Sequence, residues 1–148
     1  MTKTPILHPQ ILNALARAGH SSKILIADGN YPSHTRRGPN ADVVYLNFTP
    51  GQLTATDILQ GISNTIPIES AEVMEPLRSG PYAMKSEPPI FTDFRKILNA
   101  HDANLDLTPL ERFAFYDAAG SRDVTLTIVS GDQRLYANIL LTIGVIGA

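Results

Sequence analysis

Lys23-Ile24-Leu25-Ile26-Ala27-Asp28 is the stretch that decides the fold class. Residues 24–27 are apolar without a break, the pattern of a strand buried on both sides in a parallel sheet. Asp28 closes the run at its carboxyl end, and in open α/β sheets that edge is where ligands bind. Upstream, Pro9 suits the first turn of an amphipathic helix over 9–18. Ile11, Leu12, Leu15 and Ala16 form its apolar stripe, and Gly19 is placed to end it.

Downstream, a loop rich in Gly, Asn, Pro and Arg (29–40) leads to a second strand over 42–48. The Pro50-Gly51 turn precedes a helix whose start signal is a capping box, Thr54 at the N-cap with Asp57 at N3, and Leu53 is set to pack on Ile58 as a staple. Residues 68–74 read as a strand edged by Pro67. The four prolines within 76–89 mark an irregular loop. Phe91, Phe94, Ile97 and Leu98 recur at helical spacing, which predicts a helix over 90–101, and Pro109 opens a shorter one over 109–118. The chain ends in apparent hairpin grammar: a strand over 124–129, the turn Ser130-Gly131-Asp132, and a strand over 135–142. Strands interleaved with helices predict an α/β fold, a single layered domain over residues 1–148 with a central mixed β-sheet flanked by helices.

Composition narrows the function classes. A chain of 148 residues with 43% apolar and 18% charged residues is ordinary for one globular domain with a substantial core. A net charge of −2 offers no electrostatic attraction to nucleic acid or to an anionic membrane. The absence of cysteine removes disulfides, thiolate nucleophiles and cysteine-ligated metals. Pro5, His8, Pro9 and Gln10 interrupt any signal-peptide apolar region, and the apolar run 139–148 is about half a membrane span. A cytoplasmic location is the expectation.

Among candidate site residues, Asp28 sits at a sheet edge and His20 lies just past a helix end. An aspartate there can orient an imidazole or bind a hydroxyl, and it can equally cap a turn; the spacing leaves both roles open. Tyr136 and Asn138 are two apart in a predicted strand, so both side chains emerge on one face as a phenol–amide pair suited to hydroxyl groups. Arg112 opens the 109–118 helix's aromatic segment, where it can serve a ligand or pair with Glu111 or Asp117. His34 follows Pro32 in a loop that can line a site mouth. The spacing of His8, His20, His34 and His101 matches no zinc pattern, and no P-loop, dinucleotide fingerprint or nucleophile elbow is present. The residues alone reach no further than a small α/β domain with a polar-ligand site.

At these residues the sequence resembles the ribose pyranase/fucose mutarotase family, over nearly the whole chain. The most specific stretch is C-terminal: Arg112-Phe113-Ala114-Phe115-Tyr116, the turn at Gly131, and Tyr136-Ala137-Asn138 resemble the family's R-F-x-F-Y helix, Gly turn and Y-x-N strand. The Arg-Phe-Ala-Phe-Tyr segment favours the fucose branch. The resemblance implies an isomerase that interconverts the anomers of L-fucose or a related monosaccharide by general acid/base ring opening, with no cofactor and no metal. The alternatives are a D-ribose pyranase and a non-catalytic sugar-binding accessory protein. It implies His20 as proton donor and Asp28, Arg112, Tyr136 and Asn138 as substrate-binding positions. Tyr136 or a water-linked partner would make the second proton transfer, and the nearby His34 is a further substrate-binding candidate that could compensate at that step. It implies as partners a free monosaccharide and further copies of the chain, in pentameric rings or a decamer with sites between subunits. Two positions depart from the family pattern. Asn30 stands where some fucose-type members carry histidine and others asparagine, so it is within the family's range, but an amide cannot shuttle a proton as imidazole does. Ala137 replaces the usual glycine, which is harmless if extended and an obstacle at positive φ.

Overall fold

The computed structural model describes residues 3–147. The elements run α1 (Pro9–Arg17), β1 (Lys23–Ala27), β2 (Asp42–Tyr45), α2 (Ala55–Ser63), β3 (Ile68–Met74), α3 (Pro89–Asn99), β4 (Leu107–Leu110), α4 (Arg112–Ala119), β5 (Val124–Val129) and β6 (Ile139–Ile143). The strands form a six-stranded sheet in the order β2-β5-β1-β6-β3-β4. β1 and β2 pair in parallel with β5, and β3 pairs in parallel with β4. β6 lies antiparallel between β1 and β3. The sheet is therefore mixed, as the sequence predicts, and every strand except β6 points its carboxyl end to one edge.

β1 is the hub. Ile24 and Ile26 face a large cluster with Ile11 and Leu15 of α1, Leu59 and Ile62 of α2, and Phe94 and Leu98 of α3. Leu25 and Ala27 face a smaller cluster with Tyr31, Leu140, and Phe115 and Ala119 of α4. These four apolar residues of β1 are fully buried, so the unbroken run reflects helices on both faces. Each large side chain so buried contributes roughly 1.5–3 kcal/mol.

Local signals explain several boundaries. Thr54 Oγ1 accepts from the Asp57 N–H at 3.1 Å and the Thr54 N–H donates to Asp57 Oδ2 at 3.0 Å, completing the expected capping box, while Leu53 stays exposed. The apolar face of α1 runs through Ile11, Ala14 and Leu15, and Ala16 is exposed, so the stripe is one residue off its expected course. No helix among the described residues is long and apolar enough to cross a membrane.

Two expectations are corrected. Pro109 lies in β4, and α4 starts at Arg112. β4 is an edge strand, where a residue without an N–H is tolerated. The terminal hairpin does not form, because β1 separates β5 from β6. The expected turn residues are buried and make other bonds. The Ser130 N–H and hydroxyl both donate to the Ala27 carbonyl, the Gly131 N–H donates to Leu53 O at 2.8 Å, and Asp132 O accepts from the Gly29 N–H at 2.8 Å. A Cβ at position 131 would stand 2.4 Å from Gln52 O and 2.6 Å from Thr49 O, so the close approach needs glycine. Residues 130–138 thus cross the end of β1 without reversing beside β5.

Candidate functional site

The shared carboxyl edge gathers segments distant in sequence. Residues after β1, β3 and β4, together with those just before β6, enclose an open cavity of about 290 Å³. Its polar wall comprises Asp28, Asn30, Arg112, Tyr116, Tyr136 and Asn138; Met74, Leu77 and Leu135 form an apolar wall, with Tyr31 and Tyr82 beside them.

Asp28 and Asn138 form the floor. The Asp28 N–H donates to Asn138 Oδ1 at 2.8 Å, and Asn138 Nδ2 donates back to Asp28 Oδ2 at 2.9 Å. The Asn30 N–H donates to Asp28 Oδ1 at 2.9 Å, an Asx-type turn. Both side chains are buried. Burial pushes the Asp28 carboxyl above its ordinary value, and hydrogen bonds from Asn30, Tyr31 and Asn138 only partly offset it, with the charge of Asp132 adding to the rise.

Tyr136 and Asn138 both line the cavity, but not as alternating strand residues. They precede β6, in irregular backbone, and Tyr136 is left-handed at φ 62°. The conformation that would have troubled Ala137 falls one residue earlier. The Tyr136 hydroxyl accepts from the Leu77 N–H at 3.0 Å and donates to Tyr82 O at 3.1 Å.

Arg112 is the first residue of α4. The Glu111 carboxylate caps that helix through the N–H groups of Phe113 and Ala114, at 2.8 and 3.2 Å. The Arg112 guanidinium instead lies 5.7 Å from the Tyr116 ring centroid, a cation–π contact at the cavity wall. The Tyr31 ring packs against Phe115 and Tyr116, and burial, reinforced by Tyr116, pushes its phenol up, while Arg36 opposes the shift.

His20 and His34 lie outside this cavity. His34 is exposed in the loop after β1. His20 precedes β1, at the opposite sheet edge, where its Nε2 lies 2.7 Å from Glu69 Oε2. It borders a second hollow with Asn40, Arg122 and Asp123. β1 alone spans roughly 16 Å at about 3.3 Å per residue. The option that Asp28 holds the His20 imidazole within one chain therefore fails, because a whole strand separates them.

Residues 1–146 match the model of the RbsD / FucU transport protein family. The chain belongs to this family. Curated relatives called fucose mutarotase, from Danio rerio and Homo sapiens, are each 28% identical, with 95% of this chain and 90% of the relative covered. A solved structure of FucU from Bifidobacterium longum is 30% identical and superposes with a TM-score of 0.81, with 95% of each chain covered.

In this RbsD/FucU chain the cavity chemistry is that of a neutral, hydroxyl-rich ligand: carboxylate and amide for hydroxyl groups, a guanidinium donor, and aromatic faces for the apolar side of a ring. Sequence reasoning found Asp28, Arg112, Tyr136 and Asn138, and flagged Asn30, but not the other walls. Tyr116 was legible, four residues after Arg112 and so on the same helix face. Tyr31 had a positional signal, close after a strand's carboxyl end. Nothing marked Met74, Leu77, Tyr82 or Leu135, which reach the cavity only through the tertiary arrangement.

Proposed function

We propose that this chain is a monosaccharide mutarotase that interconverts the α and β anomers of L-fucose or a related sugar. The observation that carries the reading is the buried Asp28–Asn138 pair on the floor of a cavity with Arg112 in its wall. Relatives matched over 95% of the chain and called fucose mutarotase support the same reading.

Mutarotation protonates the ring oxygen and removes the proton of the anomeric hydroxyl. The ring C–O bond breaks, a free aldehyde forms, the C1–C2 bond rotates, and closure on the other face restores both protons. The protons are returned and no electrons are exchanged with a redox partner. Paired acid and base groups contribute roughly 10²–10⁴-fold. In the proposal His20 is the proton donor, with Glu69 engaging its Nε2. Asp28, Arg112 and Asn138 orient the sugar hydroxyls. Because β1 separates His20 from Asp28, a site that uses both requires a second copy of the chain. This supports sites between subunits, in the pentameric rings or decamer implied by the family resemblance. One domain over residues 1–148 and a cytoplasmic location complete the proposal.

Exchange NMR on L-fucose and D-ribose tests it directly. Acceleration of L-fucose anomer exchange is the expected result. Faster exchange on ribose alone would move the assignment to a pyranase, and binding without acceleration on any tested sugar would leave an accessory sugar-binding protein.

A further inference from the structure

The Tyr136 hydroxyl is fully occupied in a way that a proton shuttle is not. A phenol has one proton to donate. Here that proton goes to the Tyr82 carbonyl at 3.1 Å, while an oxygen lone pair receives the Leu77 N–H at 3.0 Å. Both partners belong to the proline-rich segment after β3.

That segment is a small closed loop. The Met84 N–H donates to Leu77 O at 2.9 Å, joining its ends, and the Ala83 N–H donates to Gly80 O at 3.1 Å, forming a turn whose Gly80 has φ 94°. Compact loops with adjoining ends are typical functional surface elements. The Tyr136 hydroxyl occupies the throat of this one. Among the described residues its two bonds are the only hydrogen bonds that tie residues 77–84 to the rest of the protein. The tied loop in turn presents Leu77 and Tyr82 to the cavity.

We propose that Tyr136 is a positioning residue whose hydroxyl straps the 77–84 loop against the sugar cavity, so that Leu77 and Tyr82 form a fixed outer wall. Donating its proton to a sugar would release the Tyr82 carbonyl and loosen that wall. The left-handed backbone at Tyr136 aims the ring toward the loop, away from the path of a strand side chain. The second proton transfer then falls to the water-linked partner that the family resemblance leaves as the alternative. The kinetic arm of this inference rests on the mutarotase reading; the structural arm does not.

The test is Tyr136→Phe, which keeps the ring and removes both bonds, read by amide hydrogen exchange and by anomer-exchange kinetics. The expected result is faster exchange at the Leu77 and Met84 amides by about tenfold or more, the scale of losing one or two net hydrogen bonds. KM for L-fucose should rise by roughly tenfold while kcat stays within about twofold and the pH profile keeps its position. A kcat loss of about 10²–10⁴-fold at unchanged KM is the signature of a lost proton shuttle and would overturn the proposal. So would unchanged loop exchange. Gly80→Ala is the second variant. Its Cβ meets nothing within 4 Å and it does not line the cavity, so it acts only by straining the loop at positive φ. It should raise KM in the same direction with Tyr136 intact, and no change in KM would count against the strap. If the wild-type protein accelerates no sugar, the proposed activity fails, and the hydrogen-exchange arm still decides the strap.

Discussion

Asp28 and Asn138 hold each other through two reciprocal hydrogen bonds, backbone N–H to amide oxygen at 2.8 Å and amide N–H to carboxylate at 2.9 Å, although 110 residues separate them. The pair joins the end of β1 to the entry of β6. It fixes the Asn138 amide orientation, because the Asp28 N–H demands an acceptor and the carboxylate demands a donor.

This geometry sets a pH dependence. The folded-state pKa of Asp28 is raised above 3.8, chiefly by burial. The folded state therefore holds the proton more tightly than the unfolded chain. The associated stability is fully present below the unfolded value and is lost as pH rises through the folded value. Urea denaturation of the wild type and Asp28→Asn across this range should show the wild type's relative stability falling as pH increases from about 4. A relative gain with pH would contradict a raised pKa. The variant should also weaken sugar binding at least tenfold, since a single amide oxygen cannot accept from both the Asn30 N–H and the Asn138 amide as the carboxylate does.

Asp132 anchors the segment that carries Tyr136 and Asn138. Its buried carboxylate accepts from the Ala55 N–H at the start of α2 and from the Arg134 backbone and guanidinium, the shortest contact being 2.6 Å. Burial pushes its pKa up, but the Arg134 and Ala55 hydrogen bonds outweigh it and hold the carboxyl below its ordinary value. Its contribution is present above the unfolded pKa and is lost as pH falls through the folded one, the reverse of Asp28. Asp132→Ala should destabilise the fold by about 2–3 kcal/mol at neutral pH, moderated by the partial exposure of Arg134. Chemical denaturation at pH 7 and pH 3 checks both size and sign, the difference from wild type shrinking at the lower pH.

The proposed placement of the site between subunits makes a complementation prediction. His20→Ala and Asp28→Ala chains should each be inactive as homo-oligomers. Co-expressed, they should regain a measurable part of the anomer exchange, because some interfaces then pair an intact His20 with an intact Asp28. Absence of any recovery in verified mixed oligomers would confine the site to one chain or remove His20 from it.

Much of the fold was legible because local physics decides it. The unbroken apolar run of β1 requires burial on both faces, and the Thr54–Asp57 capping box starts α2 where its side chains can bond the free N–H groups. Pro109 misled for an equally local reason: proline suits a helix's first turn and an edge strand alike, and only the pairing with β3 chose the strand. Ser130-Gly131-Asp132 has turn chemistry, yet its polar groups found partners in neighbouring segments, and the hairpin expected from it was lost.

The same division holds at the site. By itself the sequence determined which chemistries were available and which residues could carry them: Asp28 at a strand's carboxyl end, Arg112 at the start of an aromatic helix, and Tyr136 and Asn138 near the last strand. Only the tertiary structure decided which of them meet. Strand order brings Asp28 to Asn138, places His20 at the far end of β1, and turns the Tyr136 hydroxyl toward a loop some sixty residues away in the chain. Side-chain type and local backbone preference are written residue by residue, whereas sheet order arises from all strands competing for the same partners, and no single segment encodes the outcome.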